Sequence, residues 1–366
     1  MRIAYVINSL EGGGAALPVP AVARVLARHG AAVEILALTR RDGRALSAMQ
    51  AAGLRVAVRE GGERDHPAAI AWLDRQVERG GADLIWTFLT RATLLGQLVG
   101  ARRRLPVVSW QHNAFLKPAN QMLLRATQKL TALWVCDSES VTDLTARRLG
   151  VGPERLSTWP LFSADADAPQ AEPWRPGETL RLGSLGRLHP AKGYDVLVAA
   201  LARMRAEGFT PPAPFHVTLS GEGAARTQLE AALRQAGIEN VRLPGYDDEP
   251  REFLASLHLY LQPSRAEGLC IAAHEAMQAG LPTIVSAVGE LPWTVRPGKT
   301  GLVVPAGDPE ALARALMTLL GQPQRLAAMG AASRARVLER FGAAAFATAG
   351  AAVFSRLPKR RVLPGA

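Results

Sequence analysis

Short apolar runs with strand character alternate with helix-like or loop segments along both halves of this chain. In the first half they occupy residues 1–8, 32–38, 55–58, 84–87, 106–111 and 132–137, and in the second half residues 180–185, 216–220, 241–243, 257–262 and 283–285. Such alternation predicts parallel sheets joined by helical crossovers, so each half reads as a doubly wound, Rossmann-like α/β domain. The opening run leads into Gly12-Gly13-Gly14 and a helix expected over residues 15–29, the order of a first βα unit. Further helices are expected over 194–207, 225–236, 308–320 and 323–340, and no short internal repeat interrupts the pattern. Between the halves, residues 163–178 are polar and proline-rich without an apolar period, which reads as an interdomain linker. The expected division is a first domain over 1–163, a linker over 164–178, a second domain over 179–340 and a terminal segment over 341–366.

With 366 residues, 48% of them apolar, the chain can bury two cores of ordinary size. The start of the chain runs straight into a strand and shows no cleavage-site pattern, so a cytoplasmic location is expected. The apolar stretch over 84–98 is broken by Arg91 and is too short to span a bilayer. Two cysteines, Cys136 and Cys270, one in each half, argue against a disulfide scaffold. The histidines are dispersed without ligand spacing, so neither a metal nor any other cofactor is expected.

A net charge of +11 suits a polyphosphate ligand, anionic lipid or nucleic acid. Residues 1–165 carry most of the imbalance, with 21 Lys/Arg against 14 Asp/Glu. Local clusters are Arg102-Arg103-Arg104, Arg125 with Lys129, Arg147-Arg148 and Lys359-Arg360-Arg361. Most of this charge reads as solvated surface, the remainder as a membrane-surface or anionic-acceptor role. Low aromatic content (5%) and the lack of a reading motif disfavour nucleic acid.

The chemistry-bearing pattern is Pro263-Ser264-Arg265-Ala266-Glu267-Gly268-Leu269-Cys270-Ile271-Ala272-Ala273-His274-Glu275, which follows a strand and enters a helix. A helix start offers free N–H groups to a diphosphate, and carboxylates accept hydrogen bonds from sugar and ribose hydroxyls. The bland alternative is a pair of solvated helix-end glutamates. A second segment, Gly186-Arg187-Leu188-His189-Pro190-Ala191-Lys192-Gly193, sets two cations around a proline-containing loop, where both can converge on one phosphate pair. Two weaker features are Ser220-Gly221-Glu222-Gly223, read mainly as a structural turn, and His112 at the end of the strand over 106–111. Gly12-Gly13-Gly14 reads equally as a phosphate-approach loop or as a flexible turn.

Taken together, Gly186-Arg187-Leu188, Lys192-Gly193 and the Glu267/Glu275 pair resemble the retaining glycosyltransferases of family 4 (glycosyl transferases group 1), whose fold is GT-B: two Rossmann-like domains facing a central cleft. The resemblance implies that Arg187 and Lys192 hold the donor diphosphate, with Gly13, Gly14, Leu269 and Cys270 beside it. It also implies that Glu267 contacts the transferred sugar, Glu275 the ribose and Tyr246 the base. His112 is implied to orient the reactive sugar, with Asn113 as a weaker member of the same polar wall. The terminal segment is implied to return to the first domain. The sequence departs from the family at Cys270, where glycine is more usual, and at His274. The implied activity is transfer of a hexose-type unit from a UDP- or GDP-sugar to a hydroxyl of an envelope glycan, lipopolysaccharide or lipid-linked acceptor, with retention through a same-face mechanism. An anionic membrane surface, at the inner face of the cell membrane, is a further expected partner. The alternatives are a sugar-nucleotide epimerase of GT-B architecture and a non-catalytic nucleotide-sugar binding subunit.

Overall fold

A computed structural model describes residues 1–12, 16–112 and 116–358. Gly13, Gly14, Asn113 and the Lys359-Arg360-Arg361 cluster lie outside the described residues. The chain divides into one unit formed by Met1–Ser163 with Ala344–Ala366 and another formed by Ala164–Ala343.

In the first unit the strands are β1 (Arg2–Ile7), β2 (Ala32–Ala37), β3 (Arg55–Val58), β4 (Leu84–Phe88), β5 (Val107–Gln111), β6 (Leu133–Cys136) and β7 (Leu156–Thr158). They pair in parallel in the order β3-β2-β1-β4-β5-β6-β7. Every residue of β4 and β5 is buried, as expected for central strands covered on both faces. The helices are α1 (Val19–Arg28), α2 (Arg44–Ala51), α3 (His66–Arg79), α4 (Thr90–Arg103), α5 (Pro118–Thr127) and α6 (Glu139–Leu149). Trp86, Trp110 and Trp159 stack through the core with Tyr5 and Phe88.

The second sheet contains β8 (Leu180–Leu185), β9 (Phe215–Ser220), β10 (Val241–Gly245), β11 (Leu259–Gln262), β12 (Thr283–Ser286) and β13 (Gly301–Val304), in the order β10-β9-β8-β11-β12-β13. Around it lie α7 (Tyr194–Ala206), α8 (Arg226–Gln235), α9 (Pro250–Ala255), α10 (Ile271–Gln278), α11 (Leu291–Thr294), α12 (Pro309–Leu320) and α13 (Leu326–Phe341). The chain then forms α14 (Ala343–Ser355), whose Phe346 and Val353, followed by Leu357, enter the core of the first unit; the Phe346 ring lies 5.3 Å from Trp159. Both sheets reverse strand order beside their first strand, at β1/β4 and β8/β11. Ligands of open parallel sheets bind beyond the strand ends at such reversals.

Several expectations need correction. Helix α1 starts at Val19 and not at residue 15, because Pro18 and Pro20 suit only a helix's first turn. The helix expected over 323–340 is a short 3-10 turn, Pro323–Arg325, followed by α13. The proline-rich stretch after Ser163 is not a free tether. Ala164 N–H donates to Phe341 O (2.7 Å), Asp165 N–H to Gln278 Oε1 (2.7 Å) and Ala171 N–H to Ala279 O (2.8 Å). Arg251 pairs with Asp165 at 2.9 Å, and Arg334 donates to the carbonyls of Gln278 and Ala166. Polar composition here reflects groups satisfied by the second unit's surface.

Candidate active site

In the second unit, the loops that follow β8 and β11 lie side by side at the strand reversal. Arg265 clamps them: its guanidinium forms a bidentate pair with Asp195 at 2.6 Å and donates to Pro190 O at 3.0 Å, while its N–H donates to Ala191 O at 2.8 Å. Gly193, between Lys192 and α7, has φ +65°, and a Cβ there would collide with the Pro263 carbonyl. Only glycine lets the loops close to this distance.

This closure brings Lys192 to Glu267. Lys192 Nζ donates to Glu267 Oε1 at 2.7 Å, and the same oxygen accepts from Ser264 Oγ at 2.6 Å and Gln262 Nε2 at 3.2 Å. Tyr260 supports the arrangement by donating to Gln262 Oε1 at 2.8 Å. Burial alone would lower the Lys192 ammonium; the Glu267 carboxylate hydrogen-bonded to it acts the other way, and it is pushed up to about 12. Lys192 is therefore a cation at any physiological pH, held at a fixed point. Arg187, on the same loop, is exposed and has no ion pair among the described residues. Its loop is shaped by the turn after β9: Gly186 N–H donates to Ser220 O and Leu188 N–H to Glu222 O, both at 2.9 Å. The Ser220–Gly223 segment is thus a brace for the Arg187 loop.

Leu269 and Cys270 are buried at the start of α10. Cys270 holds φ +65°, a conformation glycine adopts without strain, which accounts physically for glycine being usual here. Burial, with Glu267 nearby, raises its thiol well above the ordinary range and keeps it protonated. His274 is a core residue: its ring bridges Cys270 O (2.9 Å) and Thr294 Oγ1 (3.1 Å), and burial lowers it to about 4. Glu275, one turn into α10, is largely buried, and no hydrogen bond of its carboxylate is found among the described residues; burial raises it to about 7, opposed by Arg251. Tyr246 stands 47% exposed just past β10.

In the first unit, His112 directly follows β5. Its Nδ1 lies 2.7 Å from Asp137 Oδ2, while Trp110 Nε1 donates to Asp137 Oδ1 at 2.6 Å. A carboxylate can only accept, so Nδ1 carries a proton and, in the neutral ring, Nε2 is left as the acceptor. The ring packs 3.7 Å from Phe88, and Nε2 is buried without a partner among the described residues. Asp137 was not singled out from the sequence. The available signal was its place just after the strand beside β5, whose register sets Gln111 opposite Cys136. Ser264 and Gln262 were missed likewise, their role depending on loop shape.

The arrangement holds a fixed cation and an adjacent exposed one by a helix start, an anchored carboxylate, and a second carboxyl group without a hydrogen bond among the described residues. Residues 12–162 match the model described as Glycosyltransferase Family 4, and residues 179–322 that described as Glycosyl transferases group 1. The D-inositol 3-phosphate glycosyltransferase of Thermobispora bispora is 30% identical over 312 residues, which are 77% of this chain and 72% of that protein. The Streptomyces scabiei enzyme of the same name is 33% identical over 180 residues, 46% of this chain, and the match spans 40% of that relative's length. The crystal structure of Anabaena Alr3699/HepE in complex with UDP-glucose superposes with a TM-score of 0.83 at 21% identity, covering 98% of this chain and 100% of the other. With both halves matched and both sheets arranged alike, the chain belongs to the family 4 glycosyltransferases and has the GT-B architecture.

Proposed function

We propose that this protein transfers a hexose-type unit from a nucleoside-diphosphate sugar to a hydroxyl of an envelope glycan, lipopolysaccharide or lipid-linked acceptor, with retention of configuration. The observation that carries the reading is the pairing of an anchored Lys192–Glu267 couple with a largely buried Glu275, on the helix that follows, whose carboxylate has no hydrogen bond among the described residues. A diphosphate would meet Lys192, Arg187 and the N–H groups of Ile271 and Ala272 at the start of α10, since that of Ala273 already donates to Cys270 O. Glu267 would accept from hydroxyls of the sugar, and Glu275 from the two ribose hydroxyls. Tyr246 would contact the base, and His112 Nε2 would accept from a hydroxyl of the reacting sugar. The UDP-glucose bound by the Anabaena protein supports a donor of this class. The relatives' name, D-inositol 3-phosphate glycosyltransferase, supports a phosphorylated or hydroxyl-rich acceptor.

In the proposed chemistry the bond from the anomeric carbon to the diphosphate oxygen breaks while the acceptor oxygen approaches on the same face. The departing diphosphate takes the acceptor proton. Lys192 and Arg187 stabilise the negative charge that grows on the leaving group, an effect on the order of 10²–10³ in kcat per donor removed. A thermal-shift panel of UDP, GDP, ADP and their sugars, with and without Mg²⁺, tests the site. Stabilisation by one nucleotide family that weakens in Glu275→Ala and Lys192→Ala is expected; folded protein with no response to any nucleotide would reject the donor assignment. Turnover at saturating donor that is unchanged in both Arg187→Ala and Lys192→Ala would reject the leaving-group role.

A further inference from the structure

Helix α5 turns an apolar stripe to solvent. Its fully buried side chain is Leu124, whereas Ala119, Met122, Leu123 and Ala126 are exposed, and Leu130 continues the stripe from the 3-10 turn that follows. These positions recur at the spacing of one helix face. The exposure is large for such residues: 67% at Met122, 46% at Leu123 and 42% at Leu130. Helix α4 packs beside α5 and carries Leu98, itself 51% exposed.

Along α4 and α5 the charge has one sign, whereas α6, which also packs against α5, carries the exposed acids Glu139 and Asp143 together with Arg147 and Arg148. From Asp83 to Asp137 the sequence contains no Asp or Glu between those two residues, yet it carries seven cations. Arg102 and Arg103 pair with acids on α3, whereas Lys117, Arg125 and Lys129, all exposed beside the stripe, have no ion pair among the described residues. We propose that this face docks on an anionic lipid bilayer, with Met122, Leu123 and Leu130 entering the headgroup boundary and Lys117, Arg125 and Lys129 meeting the headgroups. Apolar side chains flanked by cations are the composition that binds such a surface. A second copy of the chain is a poorer occupant, because burying the stripe against itself would bring together Lys117, Arg125 and Lys129 of both copies, none of which has an acidic partner among the described residues. A nucleic acid would leave the methionine and leucines without a role, and among the described residues no exposed aromatic platform stands beside them. The surface belongs to the first unit, so the proposal holds whichever nucleotide the second unit takes.

Co-sedimentation of the full chain with vesicles tests this, using phosphatidylcholine alone and phosphatidylcholine with about a third phosphatidylglycerol. The protein should pellet with the anionic vesicles, release at high salt, and stay in solution with the neutral ones. The triple variant Lys117→Gln/Arg125→Gln/Lys129→Gln should bind on the order of a hundredfold more weakly, at about fivefold per cation. Met122→Gln/Leu123→Gln should weaken binding about tenfold or more. Both variants should keep the parent melting temperature and nucleotide response, since the altered side chains are exposed and far in sequence from the donor loops. Equal pelleting with neutral vesicles, no pelleting at all, or pelleting that neither variant weakens would overturn the proposal. So would a dimer in sedimentation velocity that Met122→Gln/Leu123→Gln dissolves without changing vesicle binding, or RNA binding in the absence of vesicle binding.

Discussion

Glu275 is held in a state that a ligand would relieve. Its folded carboxyl is raised to about 7 by burial, above the ordinary value near 4.5, so folding favours the protonated form. The stability this group contributes is fully present below about pH 4.5 and is lost as pH rises through about 7. Glu275→Gln should therefore melt higher than the parent at pH 8, by an amount on the order of 3 kcal/mol at most, and alike at pH 4. A lower melting temperature for the variant at pH 8 would contradict the burial argument. In the proposed site binding has the opposite sign, because the ionised form would accept from both ribose hydroxyls. Affinity for the best-binding nucleotide sugar, whose phosphodiesters do not titrate there, should rise about tenfold between pH 6 and 8 and lie flat in the variant. His112 offers a second test at this scale. Asp137 fixes its tautomer by accepting from Nδ1, and an amide at that position can donate to Nδ1 and move the ring proton to Nε2. Asp137→Asn should lower kcat on the order of a hundredfold with the donor KM unchanged, and ring-nitrogen chemical shifts should report the exchanged tautomer. Unchanged shifts would reduce Asp137 to packing.

At the scale of elements, the pairing of the donor loops depends on Gly193. Alanine there must both hold φ near +65° and push its Cβ against the Pro263 carbonyl, so the loops must separate. Gly193→Ala should cost about 2 kcal/mol or more in unfolding and weaken nucleotide binding, whereas Gly208→Ala, a left-handed glycine with open space around it, should cost about 1 kcal/mol and leave binding intact. Equal binding losses in the two variants would mean that the loops are not held by this contact. Which elements exist was largely legible in the sequence, because buried parallel strands are unbroken apolar runs; β3 and β8 fall on the residues expected. The strands that escaped notice are β7, with three residues of which only Leu156 is fully buried, and β13, which opens on a glycine. Neither has an apolar run long enough to stand out. Motif residues such as Lys192 and Glu267 were legible by type and spacing. Their partners were not, since Ser264 joins Glu267 through a loop conformation and Asp137 joins His112 through strand register.

For the whole molecule, the two sheets have separate hydrophobic clusters, and the chain crosses back to complete the first of them. Phe346, Val353 and Leu357 lie among Tyr5, Trp86, Trp110 and Trp159, although they follow the entire second sheet in sequence. The second unit's cluster is built from β8, β9, β11 and their helices, and contains none of these residues. Stability of the first sheet therefore rests on the last described helix. Phe346, 5% exposed, is the anchor, and truncating such a ring costs about 3–5 kcal/mol. Native-state hydrogen exchange on Phe346→Ala should show faster exchange of the amides of β1, β4 and β5, which open only when the first core opens, with β8 and β11 unchanged. A saturating nucleotide sugar should slow exchange in β8 and β11 and fail to restore β1 and β4. If the variant instead accelerated both sheets equally, the cooperative unit would be the entire chain, and a cavity at Phe346 would then also lower donor affinity measured near the melting temperature. The exchange pattern separates these outcomes strand by strand, because each sheet reports the opening of its own core.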